Sequence, residues 1–266
     1  MVAMSIRTSR WPAGVPCWVD LSVPDVPAAQ AFYGSVLGWS FDEDDAERYG
    51  GYTIALVGGN GAAGIGPQPQ EGQATWTLYF ASDDADATAA AVEKQGGTVL
   101  YRPDDVGPLG RMFIGLDPTG APFGVWQAGQ YIGAGVVNEP GALVWEDLRS
   151  PDPDTARTFY TDVFGFRTER LEMAGPDYTT FALPGEAAPL GGIGGMMGAD
   201  DAPAHWLVYF GVADTPAAVA AAEHGGGSVL IPVMDSPFGR LAVLTDPNGA
   251  TFSVIETDGS QPDRSG

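Results

Sequence analysis

Lysine is almost absent: Lys94 is the only one in 266 residues, and 34 acidic against 12 basic residues give a formal net charge of -22. Nucleic-acid binding needs lysine and arginine to displace counterions, so that class is excluded. The acidic surface reads as a solubility feature. Cysteine occurs once, as Cys17, which rules out an intramolecular disulfide and suits a reducing compartment. Histidine occurs twice, as His205 and His224, both in the second half. A centre of two imidazoles and one carboxylate therefore cannot be assembled in the first half. No apolar run approaches the roughly 18 residues of a membrane span. The start, MVAMSIRTSRWPAG, carries arginines without an apolar segment behind them, so no secretory signal is read and the expected compartment is the cytoplasm. A G-x-S-x-G elbow is missing, and Gly64-x-Gly66 has no helix start after it, which excludes a phosphate loop.

What is present is a duplication. Cys17 to Leu37 reads CWVDLSVPDVPAAQAFYGSVL, and Val144 to Phe164 reads VWEDLRSPDPDTARTFYTDVF. One offset pairs Trp18 with Trp145, Asp20 with Asp147, Phe32-Tyr33 with Phe159-Tyr160 and Gly38 with Gly165. With small drifts it goes on to pair Tyr52-Thr53 with Tyr178-Thr179, Gly64-Ile65-Gly66 with Gly192-Ile193-Gly194 and Trp76 with Trp206. It ends by pairing Asp117-Pro118-Thr119-Gly120 with Asp246-Pro247-Asn248-Gly249. Two copies of about 115 residues are each long enough for a core of their own. The expected organisation is an arm over 1–14, a first domain over 15–128, a linker over 129–141, a second domain over 142–257 and a disordered tail over 258–266.

Alternation from Pro16 to Val23 predicts a half-buried strand. Asp25 then caps a helix whose apolar stripe runs through Ala29, Phe32, Tyr33, Val36 and Leu37, and Gly38 ends it. Short strands are predicted over 39–42, 51–56 and 62–66, which completes a βαβββ unit. A second unit follows: a strand over 75–81, a helix capped by Asp84, and strands over 98–101, 111–116 and 122–127. The chain thus holds four βαβββ units.

The run L-x-V-x-D, a helix carrying F-Y, then L-G-W/F, and D-P-x-G before a closing strand resembles the vicinal oxygen chelate group. That group includes glyoxalase I, bleomycin- and fosfomycin-resistance proteins and extradiol dioxygenases. Two copies in one chain, with GIGPQP and LGRM-x4-DPTGAPFGVWQ, look more narrowly like two-domain actinobacterial glyoxalase-like antigens often labelled hydroxylases. The resemblance implies an α+β fold of tandem vicinal oxygen chelate domains, four βαβββ units forming two cupped incomplete barrels. It also implies a divalent metal in each cup, on His, Gln or Glu. The positions that match those ligands are Trp18, Thr77 and Gly124 in copy one and Trp145, Leu207 and Ser253 in copy two. None of these holds a metal, so no metal and no cofactor are expected.

If the ligand positions face the cup, strand alternation puts Trp18, Asp20, Thr77, Tyr79, Gly124 and Trp126 there in copy one. In copy two it puts Trp145, Asp147, Leu207, Tyr209 and Ser253 there, with His205 near a strand start. Such an aromatic cup suits a flat, apolar small molecule stacked on indole, with Trp18, Thr77, Trp126, Trp145, His205, Leu207 and Ser253 as contacts. Three readings stay open. The chain binds a planar aromatic metabolite or antibiotic without a metal; or it is a cofactor-independent enzyme with Asp20 or Asp147 as base and Tyr79 or Tyr209 as acid; or the Trp-x-Asp pairs fill the barrels as core. Arg111 and Arg240 read as partners of nearby carboxylates rather than as anion sites. The expected partner is a small molecule, with both domains packed in one chain as a monomer or homodimer.

Overall fold

The computed structural model describes residues 6–42, 44, 46–68, 74–175, 177–196 and 202–257. The first copy runs β1 (Pro16–Val23), α1 (Val26–Leu37), β2 (Ser40–Asp42), β3 (Thr53–Val57) and β4 (Asn60–Pro67). It continues with β5 (Thr75–Ala81), α2 (Ala85–Lys94), β6 (Thr98–Val106), β7 (Gly110–Leu116) and β8 (Pro122–Ala128). The second repeats this as β9 (Leu143–Arg149), α3 (Pro153–Phe164), β10 (Arg167–Arg170), β11 (Thr179–Ala182) and β12 (Gly191–Gly194). Then come β13 (His205–Val212), α4 (Thr215–His224), β14 (Ser228–Ser236), β15 (Gly239–Thr245) and β16 (Thr251–Glu256). Each copy forms one open eight-stranded mixed sheet, ordered β2-β3-β4-β1-β5-β8-β7-β6 and β10-β11-β12-β9-β13-β16-β15-β14.

Local chemistry fixes these elements. Each helix starts at an aspartate whose carboxylate accepts a backbone N–H three residues on: Asp25 from Ala28, Asp84 from Ala87, Asp152 from Thr155 and Asp214 from Ala217. Gly38 and Gly165 end α1 and α3 in the left-handed conformation, at φ 72° and 75°. On β1, Val19, Leu21 and Val23 are buried under α1, and Trp18 and Asp20 face the other way.

The helix-bearing faces of the two sheets meet in one aromatic core. Phe80 of β5 packs on Tyr160, Phe164 and Trp206 of the second copy, and Tyr33 of α1 packs on Phe252. The Tyr33 hydroxyl donates to Asp246 at 3.2 Å and accepts from Trp76 Nε1 at 3.1 Å. The equivalent Trp206 Nε1 donates to the Tyr160 hydroxyl at 2.9 Å. The two cup faces are therefore turned away from each other.

The structure adds to three expectations. Residues 6–14 of the expected arm are docked: Ile6 bridges Val136, and Trp11 is buried with its Nε1 donating to Ala134 O at 3.0 Å. The segment after β8 is more than a tether. Ala134 N donates to Cys17 O and Gly135 N to Gly61 O, so it wedges between the starts of β1 and β4 and satisfies backbone groups that this parallel pair leaves open there. The strand expected over 98–101 runs on to Val106, because bulges at Val99/Tyr101 and Tyr101/Asp104 let it absorb Pro103 while staying paired with β7. The tail expected over 258–266 lies outside the described residues.

Candidate functional site

In the first sheet, β1 runs antiparallel to β5, with Trp18 opposite Tyr79 and Asp20 opposite Thr77; β5 runs parallel to β8, with Tyr79 beside Gly124. This register gathers Trp18, Asp20, Thr77 and Tyr79 on one face, as strand alternation requires. The Tyr79 hydroxyl donates to Asp20 Oδ2 at 3.0 Å. The Tyr52 hydroxyl donates to the same oxygen at 3.4 Å and accepts from Trp18 Nε1 at 2.8 Å. Trp126, at the far end of β8, donates from Nε1 to Tyr131 O at 2.9 Å, and the Tyr131 ring meets Trp18 edge-on at 5.4 Å between centroids.

Asp20 is half-buried and, among the described residues, has no cation beside it. Burial, only partly offset by the hydrogen bonds from Tyr79 and Tyr52, raises its pKa to about 7. Burial and then the Asp20 charge push Tyr79 and Tyr52 well above the usual phenol value, so both remain neutral donors.

The second sheet repeats the constellation with one change. Asp147 accepts from Trp145 Nε1 at 2.9 Å, from the Tyr178 hydroxyl, and from the Tyr209 hydroxyl at 2.8 Å. It also forms an ion pair with Arg149, which stands where copy one has Ser22. Burial opposes the Arg149 charge, but Asp147 and the neighbouring phenols outweigh it and raise the guanidinium pKa. Asp147 and Arg149 are 3% and 8% exposed, so this is a buried pair, whereas Asp20 is a solitary carboxylate. Leu207 lies opposite Asp147 and Tyr209 opposite Trp145, as alternation requires. His205 is opposite Arg149, with Nδ1 2.9 Å from Pro203 O. Ser253 is buried beside Tyr209, and its hydroxyl donates to Ala242 O at 2.9 Å.

Glycines make these cups. A Cβ on Gly64 would sit 1.8 Å from the Tyr52 hydroxyl, one on Gly192 would sit 1.9 Å from that of Tyr178, and one on Gly124 would sit 2.2 Å from the Tyr79 ring. The tyrosines thus occupy the space that side chains at these strand positions would otherwise fill. The metal of the vicinal oxygen chelate group does not fit this donor set. Asp20 is the one carboxylate among these cup residues of copy one, the Tyr79 ring lies over the last-strand position, and among the described residues no three His, Cys, Asp or Glu side chains converge.

The structure joins Trp18, Asp20 and Tyr79 in the first copy and Trp145, Asp147 and Tyr209 in the second, with Thr77, Leu207 and Ser253 beside them by register, whereas the recorded bonds of Trp126, His205 and Ser253 go to backbone carbonyls. Four further members were not expected: Tyr52 and Tyr178 in the turns before β3 and β11, Tyr131 after β8, and Arg149 at the end of β9, which the same alternation that places Trp145 and Asp147 would have put on this face. The repeated pairing of Tyr-Thr with Gly-Ile-Gly was the available signal for the first two. Arg111 and Arg240 stand apart from the cups and pair with carboxylates, Arg111 with Asp86 and Asp105 and Arg240 with Asp235 and Glu256. A surface hollow lined by Gln95, Pro118, Asp154, Thr158 and Asp162 also lies away from both cups.

Comparison with known proteins agrees with this fold. The family model described as Glyoxalase/Bleomycin resistance protein/Dioxygenase superfamily matches residues 17–125 and 142–254. CFP32 of Mycobacterium tuberculosis, which carries a provisional glyoxylase name, is 40% identical over 258 residues, covering 94% of this chain and 97% of its own. The anthracycline biosynthesis protein DauV of Streptomyces sp. strain C5 is 38% identical over 273 residues, covering 96% and 97%. Among solved structures, the Mn(II)-bound glyoxalase of Novosphingobium aromaticivorans superposes with a TM-score of 0.65 at 20% identity, covering 92% and 82%, a likeness of fold alone.

Proposed function

The chain belongs to the glyoxalase/bleomycin resistance protein/dioxygenase superfamily through both of its halves, and from that premise we propose that it binds a small, planar aromatic metabolite or antibiotic in a cup without using a metal. The supporting observation is the composition of the cup face. Trp18, Tyr52, Tyr79 and Tyr131 surround a single carboxylate, and Trp and Gly stand at positions where a chelating relative needs donors. Aromatic rings give a flat ligand stacking and apolar burial, and the carboxylate orients it through a hydroxyl. DauV is named for the biosynthesis of anthracyclines, which are planar polycyclic molecules, and this agrees with the ligand class.

One observation favours a second reading, a cofactor-independent acid–base enzyme. A base works best when its pKa lies near the operating pH, and Asp20 is raised to about 7. In that role Asp20 takes a proton from an acidic C–H or phenolic O–H of the ligand. Tyr79, still protonated, turns its hydrogen bond from Asp20 to the oxygen on which charge develops. Trp18 and Tyr131 hold the ring system in plane.

The test is fluorescence titration of the wild type, Trp18→Ala and Asp20→Asn with a panel of planar polycyclic phenols and quinones. Binding predicts that Trp18→Ala loses about 1 to 3 kcal/mol of affinity while Asp20→Asn keeps most of it. Catalysis predicts that Asp20→Asn abolishes turnover with binding intact. If no compound shifts the wild type and both variants lose stability, the residues are core and both readings fail.

A further inference from the structure

The two cups have opposite spare hydrogen-bonding capacity. Asp147 is saturated, since four donors from Trp145, Tyr178, Tyr209 and Arg149 converge on its two oxygens. Arg149 is the reverse. Its Nη2 donates to Asp147, a further hydrogen bond joins it to Tyr209, and its guanidinium lies 5.5 Å from the Tyr178 ring centroid. A guanidinium carries five N–H donors, so what this polar end still offers is donors. In the first cup Asp20 accepts from Tyr52 and Tyr79 alone among the described residues, with serine in the place of arginine, so what remains there is acceptors.

Near Arg149 lies a small buried apolar cluster that is separate from the shared core. Val144, Leu207, Tyr209, Val243 and Ile255 form a cluster of their own, and half-buried Trp145, Ile231 and Leu241 pack on it. Among the described residues no ring covers Trp145 as Tyr131 covers Trp18 in the first copy. The combination is an accessible indole and an aliphatic floor that lead to a planar, charged donor.

We propose that the second cup is a distinct site for a planar aromatic molecule bearing a carboxylate, with Trp145 and the aliphatic floor taking the rings and the N–H donors of Arg149 not used by Asp147 and Tyr209 taking the carboxylate. The first cup, with acceptors to offer, takes hydroxyl-bearing aromatics. This rests on the reading of the cups as aromatic-ligand sites and adds that they differ in ligand chemistry. Asp147 fixes the guanidinium and stops the Arg149 charge from being buried unpaired when the site is empty.

Two probes separate the cups: anthraquinone-2-carboxylate and 2-hydroxyanthracene, titrated by calorimetry against the folded full-length chain. Anthraquinone-2-carboxylate is expected to bind about tenfold to a hundredfold more weakly to Arg149→Ser, the range for losing hydrogen bonds to a charged group, and unchanged to Trp18→Ala. The hydroxy compound should show the converse pattern. Because Arg149→Ser strips Asp147 of its partner, folding is checked by its melting curve. Independently, the Arg149 Nε–H resonance of 15N-labelled wild type should shift on adding the carboxylate and not the phenol. The inference is overturned if the carboxylate fails to bind, if it binds Arg149→Ser as tightly as wild type, or if the Arg149 resonance does not move. Failure of the phenol alone, with the carboxylate still dependent on Arg149, would instead remove the first-cup reading.

Discussion

The same substitution, aspartate to asparagine, should have opposite effects on stability in the two repeats. Asp20 titrates at about 7 in the folded chain against an ordinary value of 3.8, so at pH 8 the folded state carries a charge that burial disfavours. At 1.36 kcal/mol per pKa unit, the roughly 3 units amount to at most ~4 kcal/mol. Asparagine keeps an acceptor for Tyr79 and Tyr52 and removes the charge, so Asp20→Asn should stabilise the chain at pH 8 by about 1 to 4 kcal/mol. For a chain of this size that is a rise in Tm of roughly 2–4 °C per kcal/mol. Near pH 4, where the wild-type carboxyl is also protonated, the gain should vanish. Asp147→Asn removes the partner of a buried arginine and should destabilise the chain by about 3–5 kcal/mol. Differential scanning calorimetry of both variants at the two pH values measures this. A loss of stability for Asp20→Asn at pH 8, comparable to that of Asp147→Asn, would mean that Asp20 is a satisfied structural anchor, and would refute its assignment as a functional carboxylate held at a stability cost.

In the wild type, Asp20, Asp117 and Asp246 all have raised folded-state values, with burial the largest cause in each. Their stabilising contribution is complete below the unfolded value and lost as pH rises through the folded one; for Asp20 that loss spans about pH 4 to pH 7, so Tm should fall across this window, and a Tm that climbs through it contradicts the assignment. Tyr131 places its hydroxyl in a buried position with no hydrogen-bond partner among the described residues. Tyr131→Phe should therefore hold or raise stability by about 1 kcal/mol in urea unfolding, and a clear loss would reveal a missed partner. Gly64→Ala forces the Tyr52 ring out of place and should destabilise by about 1–3 kcal/mol, and the double variant with Tyr52→Phe should recover part of that loss because the clashing hydroxyl is gone.

Most of the frame was legible because it rests on local rules. Aspartate caps, glycine stops and alternation on β1 and β5 place Trp18 and Asp20 on one face and Thr77 and Tyr79 opposite them, so the Asp20–Tyr79 pair follows once the strands are antiparallel. Tyr52 was not legible in the same way. It lies in a turn where no periodicity operates, and it reaches the cup only because Gly64 and Gly66 leave room on a strand distant in sequence. Arg149 was hidden for another reason. Comparing repeats draws attention to what they share, and this residue works by what they do not share. The Asp-Pro-x-Gly turns read as turns, and nothing local signals that Asp246 would accept a hydrogen bond from Tyr33 of the other copy.

The tyrosine ring lying over Gly124 also limits which neighbouring sequences are accessible. A single replacement of Gly124 by glutamate, the residue a chelating relative would use there, drives its Cβ to 2.2 Å from Tyr79. Shrinking Tyr79 alone removes the donor on which Asp20 relies. Either step by itself damages what exists without creating a ligand set, so a path to a chelating cup requires both changes at once. The fold is shared with metal-bearing relatives, but the route between the two chemistries crosses a valley rather than a slope.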